Sequence, residues 1–98
     1  MNTIKQLLQN NEGTIVDVRT PAEFRGGHVA GSVNIPVGEL MHRLPELKEL
    51  KQPLILCCAS GGRSAMATHL LKQNQINCVD AGSWLSLNYL QAQTVPVL

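Results

Sequence analysis

Aromatic residues are scarce in this sequence, and long hydrophobic runs are absent. Only three of the 98 residues are aromatic, Phe24, Trp84 and Tyr89, which is too few for a platform on which nucleic-acid bases stack. The formal net charge is +1 and basic residues form no run, so nucleic acid and anionic lipid are disfavoured as main partners. The longest apolar run, 53–59, is far shorter than the roughly 18 residues that a membrane span requires.

Cysteine is also sparse, with three residues, Cys57, Cys58 and Cys78. An odd number with two adjacent members makes a poor disulfide framework, and it indicates a reducing compartment or a working thiol. The N-terminal ten residues lack the apolar block of a signal peptide. We therefore expect a cytoplasmic protein, or a periplasmic one if a signal peptide has been removed, that folds as one domain over residues 1–98.

Short β-branched runs alternate with helical patterns, which predicts an α/β fold with a mostly parallel sheet of four to five strands. The predicted strands are 14–18, 32–35, 54–57 and 77–80. The most apolar of them, 54–57, is expected near the centre of the sheet. In such sheets ligands bind at the carboxyl ends of the strands.

Several helix boundaries carry recognisable signals. Thr3 with Gln6 and Thr20 with Glu23 fit capping boxes, and Pro21 stands at a first helical position. Gly26 and Gly27 are expected to stop the second helix. The pattern further predicts two short helices broken at Pro45, a helix over 63–73 that buries Met66, Ala67, Leu70 and Leu71, and a last helix capped by Ser83.

The segment after the third strand carries the chemistry. The strand presents Cys58 at the carboxyl edge, and the small residues 59–62 let the backbone curl and turn several N–H groups inward. The start of the following helix and Arg63 add positive charge, which favours thiolate over thiol. The segment therefore predicts a nucleophilic thiolate beside an anion cradle. The alternative is a tight connection around an inert buried thiol.

These residues resemble the active-site loop of the rhodanese (thiosulfate sulfurtransferase) family. The loop match is Cys58-Ala-Ser-Gly-Gly-Arg63-Ser64. A second family signature is Asp17-Val-Arg19 followed by Glu23-Phe24, Gly27-His28-Val29, Gly31-Ser32 and Asn34-Ile35-Pro36, and a third, weaker one is Asp80-Ala-Gly82-Ser-Trp84. In the third, Ala81 replaces one glycine of the usual pair. The resemblance implies a rhodanese-like three-layer α/β/α fold.

The resemblance also implies a mechanism without a cofactor. Cys58 would attack the sulfane sulfur of a small anionic donor such as thiosulfate, and the resulting persulfide would pass its outer sulfur to cyanide or to a thiol, for example a thioredoxin-like protein. We expect a monomer with no nucleic-acid or membrane partner. The residues implied in binding the donor are Ala59, Ser60, Gly61, Gly62, Arg63 and Ser64.

Two other functions compete with the sulfurtransferase. One is a persulfide carrier or docking module that works with a protein partner through the same loop. The other is a phosphatase of related fold, because five residues separate Cys57 from Arg63, the spacing those enzymes use. Counted from Cys58, the loop has the six residues of a sulfurtransferase, and strand alternation turns the Cys57 side chain away from that of Cys58.

The remaining polar residues are expected to support the loop. Asp17 and Arg19 predict an ion pair that braces it, and Glu23 is the capping-box carboxylate. His28 is expected to be structural, since persulfide chemistry needs no base once the thiolate exists. Cys57 and Cys78 are interpreted as buried small hydrophobes, with a resolving-thiol role left open, and Trp84 as a core anchor. No residues show the spacing of a metal site.

Overall fold

The computed structural model describes residues 3–94, which form a four-stranded parallel sheet with helices on both faces. The strand order is β2-β1-β3-β4, and every neighbouring pair is parallel. The predicted fold class is therefore confirmed, and the apolar third strand lies inside the sheet as expected. The strands are β1 (Thr14–Asp17), β2 (Val33–Asn34), β3 (Leu54–Cys58) and β4 (Cys78–Ser83).

The described residues also form five α-helices and one 3-10 helix. They are α1 (Ile4–Gln9), α2 (Pro21–Arg25), the 3-10 helix (Val37–Arg43), α3 (Leu44–Glu49), α4 (Gly62–Gln73) and α5 (Trp84–Thr94). Within residues 3–94, no helix is both long enough and apolar enough to cross a membrane.

The predicted helix caps are confirmed, and one predicted break is wrong. Thr3 and Thr20 both form complete capping boxes, Gly26 caps the end of α2, and the Ser83 hydroxyl accepts a hydrogen bond from the Leu85 N–H at 3.2 Å. The break expected at Pro45 falls one residue earlier, because α3 begins at Leu44. Proline is tolerated in the first turn of a helix, where its missing N–H would have had no partner.

The sheet separates two apolar clusters, and β3 contributes to both. Leu54, Leu56 and Cys58 face the cluster that includes α3 and α4, whereas Ile55 and Cys57 face the cluster that includes α1 and α5. All five residues of β3 are buried. This alternation is the pattern of a central strand covered on both faces, and it turns the Cys57 and Cys58 side chains to opposite sides.

The buried face of α4 differs from the prediction. Met66 was expected in the core, but it is 58% exposed, and Leu70 is only partly buried. The buried positions are Ser64, Ala67, Thr68 and Leu71. Two of these are polar, and both have hydrogen-bond partners. The prediction is therefore confirmed for Ala67 and Leu71 and wrong for Met66 and Leu70, because the buried face is shifted toward Ser64 and Thr68.

Candidate active site

Two backbone amides converge on the sulfur of Cys58. The Gly61 N–H donates to Sγ at 2.9 Å, and the Ser64 N–H donates to it at 3.4 Å. Gly61 has a φ of 106°, a left-handed conformation that glycine adopts without the cost a side chain would bring. The turn at Gly61 thus directs N–H groups of the loop inward, as the sequence predicts, and the bonding amides also include that of Ser64, which lies past the small residues 59–62.

The Cys58 thiol is buried at the floor of this loop. The residue is 1% exposed, whereas Ala59, Ser60 and Gly62 lie on the outside. Burial alone would raise the pKa of Cys58, but the contact with the Ser64 hydroxyl and hydrogen bonds from the N–H groups of Ser64, Gly61 and Ser60 outweigh it, so the pKa is lowered. The amides of the loop therefore stabilise the thiolate at a buried position from which water is excluded.

Ser64 connects Cys58 to a carboxylate on the neighbouring strand. Its Oγ lies 3.5 Å from Cys58 Sγ and donates to Asp80 Oδ1 at 2.7 Å. The Gly82 N–H donates to the same Oδ1 at 2.9 Å and so fixes the carboxylate. Asp80 pairs with Leu56 and Gly82 with Cys57, so Ala81 is an extra residue in β4. This irregularity lies at the end of β4 beside the loop.

Arg63 forms a bidentate ion pair with Glu23. Nη1 lies 2.6 Å from Oε1, and Nη2 lies 3.0 Å from Oε2. The two side chains are 35% and 36% exposed. Hydrogen bonds from Arg63 and from the Thr20 N–H lower the pKa of Glu23 to about 2. Glu23 therefore fills its predicted capping role. It also binds Arg63, the residue that the sequence analysis expected to bind the sulfur donor.

Asp17 and Arg19 form the predicted ion pair. Arg19 Nε and Nη2 donate to the buried Asp17 carboxylate at 2.7–3.0 Å, and Nη2 also donates to the Gly27 carbonyl at 2.7 Å. The guanidinium carbon lies 4.6 Å from the centre of the Trp84 ring, within range of a cation–π contact. Trp84 is partly buried and packs against the second cluster, so this arginine braces the end of β1 against α5.

His28 contacts its own segment of chain. Its Nδ1 lies 2.7 Å from the Phe24 carbonyl oxygen, and its ring stacks on the Phe24 ring with centroids 3.7 Å apart. Both contacts tie the turn after α2 to the helix. They fit the structural role that the sequence predicts.

The other two cysteines lie away from the loop amides. Burial, together with the Asp17 carboxylate, raises the pKa of Cys57 to about 12, and burial raises the pKa of Cys78. Cys78 pairs with Leu54 in the sheet, four strand positions before Cys58 and therefore about 13 Å along the strand at the usual rise. Cys78 is therefore too far from Cys58 to form a disulfide without rearrangement of the backbone. Cys57 cannot form one either, because its side chain faces the opposite side of the sheet.

A cavity lies at the other end of the sheet. It has a volume of about 450 Å³, and its lining includes Thr14, Ile15 and Ile55 near the amino ends of the strands, with Leu7 of α1 and Gln91 of α5. Among the described residues, no group of three or more His, Cys, Asp or Glu side chains could hold a metal ion.

Sequence reasoning missed three contacts: Asp80 with Ser64, Glu23 with Arg63, and Arg19 with Trp84. A signal existed for the first, because Asp80 belongs to the third family signature and lies near the carboxyl end of a predicted strand. The other two join segments whose relative placement depends on the path of the crossover connections.

A parallel α/β sheet, with a buried cysteine at its carboxyl edge whose sulfur accepts hydrogen bonds from two backbone amides, defines the class of domain to which this chain belongs. The chain belongs to the family of rhodanese-like domains, whose sequence model matches residues 1–88.

Proteins similar to this chain include a putative sulfur carrier and a sulfurtransferase. The putative sulfur carrier protein YrkF of Bacillus subtilis is 36% identical over 74 residues, which are 74% of this chain and 40% of that protein. The thiosulfate sulfurtransferase GlpE of Pseudoalteromonas translucida is 33% identical over 69 residues, 69% of this chain and 65% of that protein. The chain thus spans less than two thirds of either relative.

A solved structure matches nearly the whole chain. The rhodanese-related protein of Thermoplasma volcanium superposes with a TM-score of 0.75 at 33% identity, covering 97% of this chain and 93% of that one. Relatives of this chain therefore include sulfurtransferases and a putative sulfur carrier.

Proposed function

We propose that this protein is a sulfurtransferase that moves sulfane sulfur from thiosulfate or a similar donor to a thiophilic acceptor through a persulfide on Cys58. The observation that carries the proposal is the pair of amides, from Gly61 and Ser64, directed at Cys58 Sγ. A thiolate needs such donors to exist in a buried position, and a nucleophile of this kind is the first requirement of the reaction.

The reaction divides into two displacements at the same sulfur. The Cys58 thiolate attacks the outer sulfur of thiosulfate, the S–S bond of the donor breaks, and sulfite leaves with the electron pair. The product is a Cys58 persulfide whose outer sulfur carries the negative charge. Cyanide then takes that sulfur as thiocyanate, and the thiolate returns. Because the donor product leaves before the acceptor binds, the kinetics are expected to be ping-pong.

The loop supplies the electrostatic part of catalysis. The amides between Ala59 and Ser64, at the positive start of the twelve-residue helix α4, can hold each anionic species in turn. Arg63 stands at the second position of that helix, and its ion pair with Glu23 offsets part of the positive charge that it brings to the loop. Asp17, Arg19, Glu23 and His28 support this loop from β1 and the turns that follow it.

A carrier that exchanges sulfur with a partner protein is the second candidate. Two observations favour it: the 1% exposure of Cys58, which limits access for a free donor, and the resemblance to a putative sulfur carrier. The partner would be a thiol protein such as one of thioredoxin-like type. We propose a cytoplasmic location, since three free cysteines fit a reducing compartment.

Thiocyanate formation from thiosulfate and cyanide tests the proposal. The wild-type protein is expected to turn over, Cys58→Ser to be inactive, and Cys78→Ala to serve as a matched control because Cys78 is buried in the same cluster outside the loop. Turnover by Cys58→Ser would overturn the assignment of the nucleophile. Negligible thiosulfate turnover combined with fast exchange from a persulfidated thioredoxin-like protein would select the carrier, and hydrolysis of a phenyl phosphate would select a phosphatase.

A further inference from the structure

The Arg63 guanidinium is paired with the Glu23 carboxylate, and Thr20 holds that carboxylate in position independently of Arg63. Glu23 Oε1 accepts hydrogen bonds from the N–H and hydroxyl of Thr20, each at 3.1 Å, and the Glu23 N–H donates back to Thr20 Oγ1 at 3.2 Å. This capping box fixes the carboxylate at the start of α2. Arg63 therefore reaches a preorganised anion and places two of its N–H groups on it.

Arg19, the other arginine of the site, is neutralised in the same way. The Asp17 carboxylate accepts hydrogen bonds from Arg19 Nε and Nη2, and the Gly27 carbonyl accepts another from Nη2. A third carboxylate, Asp80, lies one hydroxyl away from Cys58. The site thus contains two guanidiniums and three carboxylates, and the nucleophile adds a negative charge when it is a thiolate.

This balance has a consequence for the charge of the donor. Thiosulfate carries two negative charges at neutral pH, and both approach the thiolate together with the sulfur under attack. The electrostatic attraction between a donor and a cation grows in proportion to the charge of the donor. A dianion therefore loses more binding energy than a monoanion when Glu23 neutralises the Arg63 guanidinium. The exposure of the Arg63–Glu23 pair, about a third for each side chain, reduces this effect by solvent screening without removing it.

We propose that Glu23 is a specificity-determining residue that, through its ion pair with Arg63, makes the site favour sulfane donors with one negative charge or none over dianionic donors. The inference rests on the proposed sulfurtransferase function. Glu23 acts through Arg63 and the charge of the site, and its expected signature is a change in KM that depends on donor charge.

Two donors of the same chemistry and different charge isolate this effect. Methanethiosulfonate is thiosulfate with one anionic oxygen replaced by a methyl group, so it is a monoanion. In both cases the Cys58 thiolate attacks the sulfane sulfur and the donor S–S bond breaks. The leaving group takes the bonding electrons, as sulfite from thiosulfate and as methanesulfinate from methanethiosulfonate. Both reactions leave the same Cys58 persulfide, and cyanide removes its outer sulfur as thiocyanate.

The experiment measures kcat and KM for both donors in the wild type, Glu23→Gln and Glu46→Gln. Glutamine keeps the capping box, since Gln serves at that position as well as Glu. Glu46 is the matched control, because it forms an exposed ion pair with Arg43 at 2.8 Å outside the loop. In Glu23→Gln we expect KM to fall about tenfold for thiosulfate and about threefold for methanethiosulfonate, with kcat little changed. The change in binding free energy, which follows the logarithm of KM, is then proportional to the charge of the donor. Glu46→Gln should keep the wild-type ratio.

Every result of this experiment bears on the inference. Equal changes for the two donors, or no change, would overturn it. A misfolded Glu23→Gln would also overturn it, because a residue that acts through charge alone must tolerate a substitution that preserves its cap. Failure of the proposed function looks different: neither donor would then leave a sulfur on Cys58 in any variant, as judged by intact mass.

Discussion

The hydroxyl of Ser64 donates its single proton to Asp80 Oδ1 at 2.7 Å while its oxygen stands 3.5 Å from Cys58 Sγ. The Gly61 carbonyl is a third acceptor, at 3.1 Å. One proton cannot serve all three at once. A carboxylate forms the stronger hydrogen bond, so Asp80 competes with the Cys58 thiolate for the Ser64 proton.

This competition predicts opposite effects of two substitutions. Asp80→Asn releases the proton to the thiolate and removes a negative charge, so the pKa of Cys58 falls. Ser64→Ala removes a donor, so the pKa of Cys58 rises. The rate of iodoacetamide alkylation as a function of pH measures both, and we expect rates at neutral pH to change about three- to tenfold in opposite directions.

A double-mutant cycle separates this relay from a structural role of Asp80. In the Ser64→Ala background, Asp80→Asn should have a clearly smaller effect on the alkylation profile, because the route through the hydroxyl is gone. An equal effect of Asp80→Asn in both backgrounds would show that Asp80 acts without Ser64.

The three cysteines should differ sharply in reactivity. The pKa of Cys58 lies below the ordinary value of 9.0, whereas the pKa of Cys57 is raised to about 12 and that of Cys78 is also raised. A lowered pKa means that the thiolate persists as the pH falls below 9.0. At about pH 8, iodoacetamide should therefore label Cys58 first, as read by peptide mass mapping.

Burial adds a size dependence to that labelling. Because Cys58 is 1% exposed, the ratio of the rate with a bulky maleimide to the rate with iodoacetamide should be lower for Cys58 than for a free thiol in solution. Initial labelling at Cys57 or Cys78 in the folded protein would contradict the assignment of the loop thiol.

The buried ion pair of Asp17 with Arg19 should matter for stability. Asp17→Asn leaves a guanidinium with 4% exposure without its counter-charge, which is expected to cost about 3 kcal/mol in the free energy of unfolding. Glu46→Gln, which breaks a solvent-exposed ion pair, should cost much less. Urea unfolding with comparison of midpoints checks both, and equal losses in the two variants would refute the difference in burial as the cause.

The fold could be predicted from the sequence because local signals agreed with one another. The capping boxes at Thr3 and Thr20, the apolar run of β3 and the glycines after α2 each define a boundary without reference to distant residues. Met66 shows where this approach fails. The face that α4 buries includes Ser64 and Thr68, and the Ser64 hydroxyl meets its partner Asp80 only through the fold.

The candidate site was predictable in its centre and less so at its edges. Cys58 and the amides of its loop follow from one continuous segment, so sequence order is enough to bring them together. The partners of Arg63 and Ser64 come from α2 and β4, at sequence separations of 40 and 16 residues. A donor and an acceptor so far apart meet only through the sheet topology, which residue patterns do not specify in atomic detail.

Intact-mass spectrometry of the protein after incubation with thiosulfate, and again after addition of cyanide, tests the central claim most directly. A gain of one sulfur atom that maps to Cys58 and disappears with cyanide is the predicted result, and Cys58→Ser should show no gain. An unchanged mass in the wild type, with the protein folded and Cys58 reduced, or a gain that maps to Cys57 or Cys78, would contradict the proposal that Cys58 carries the sulfur.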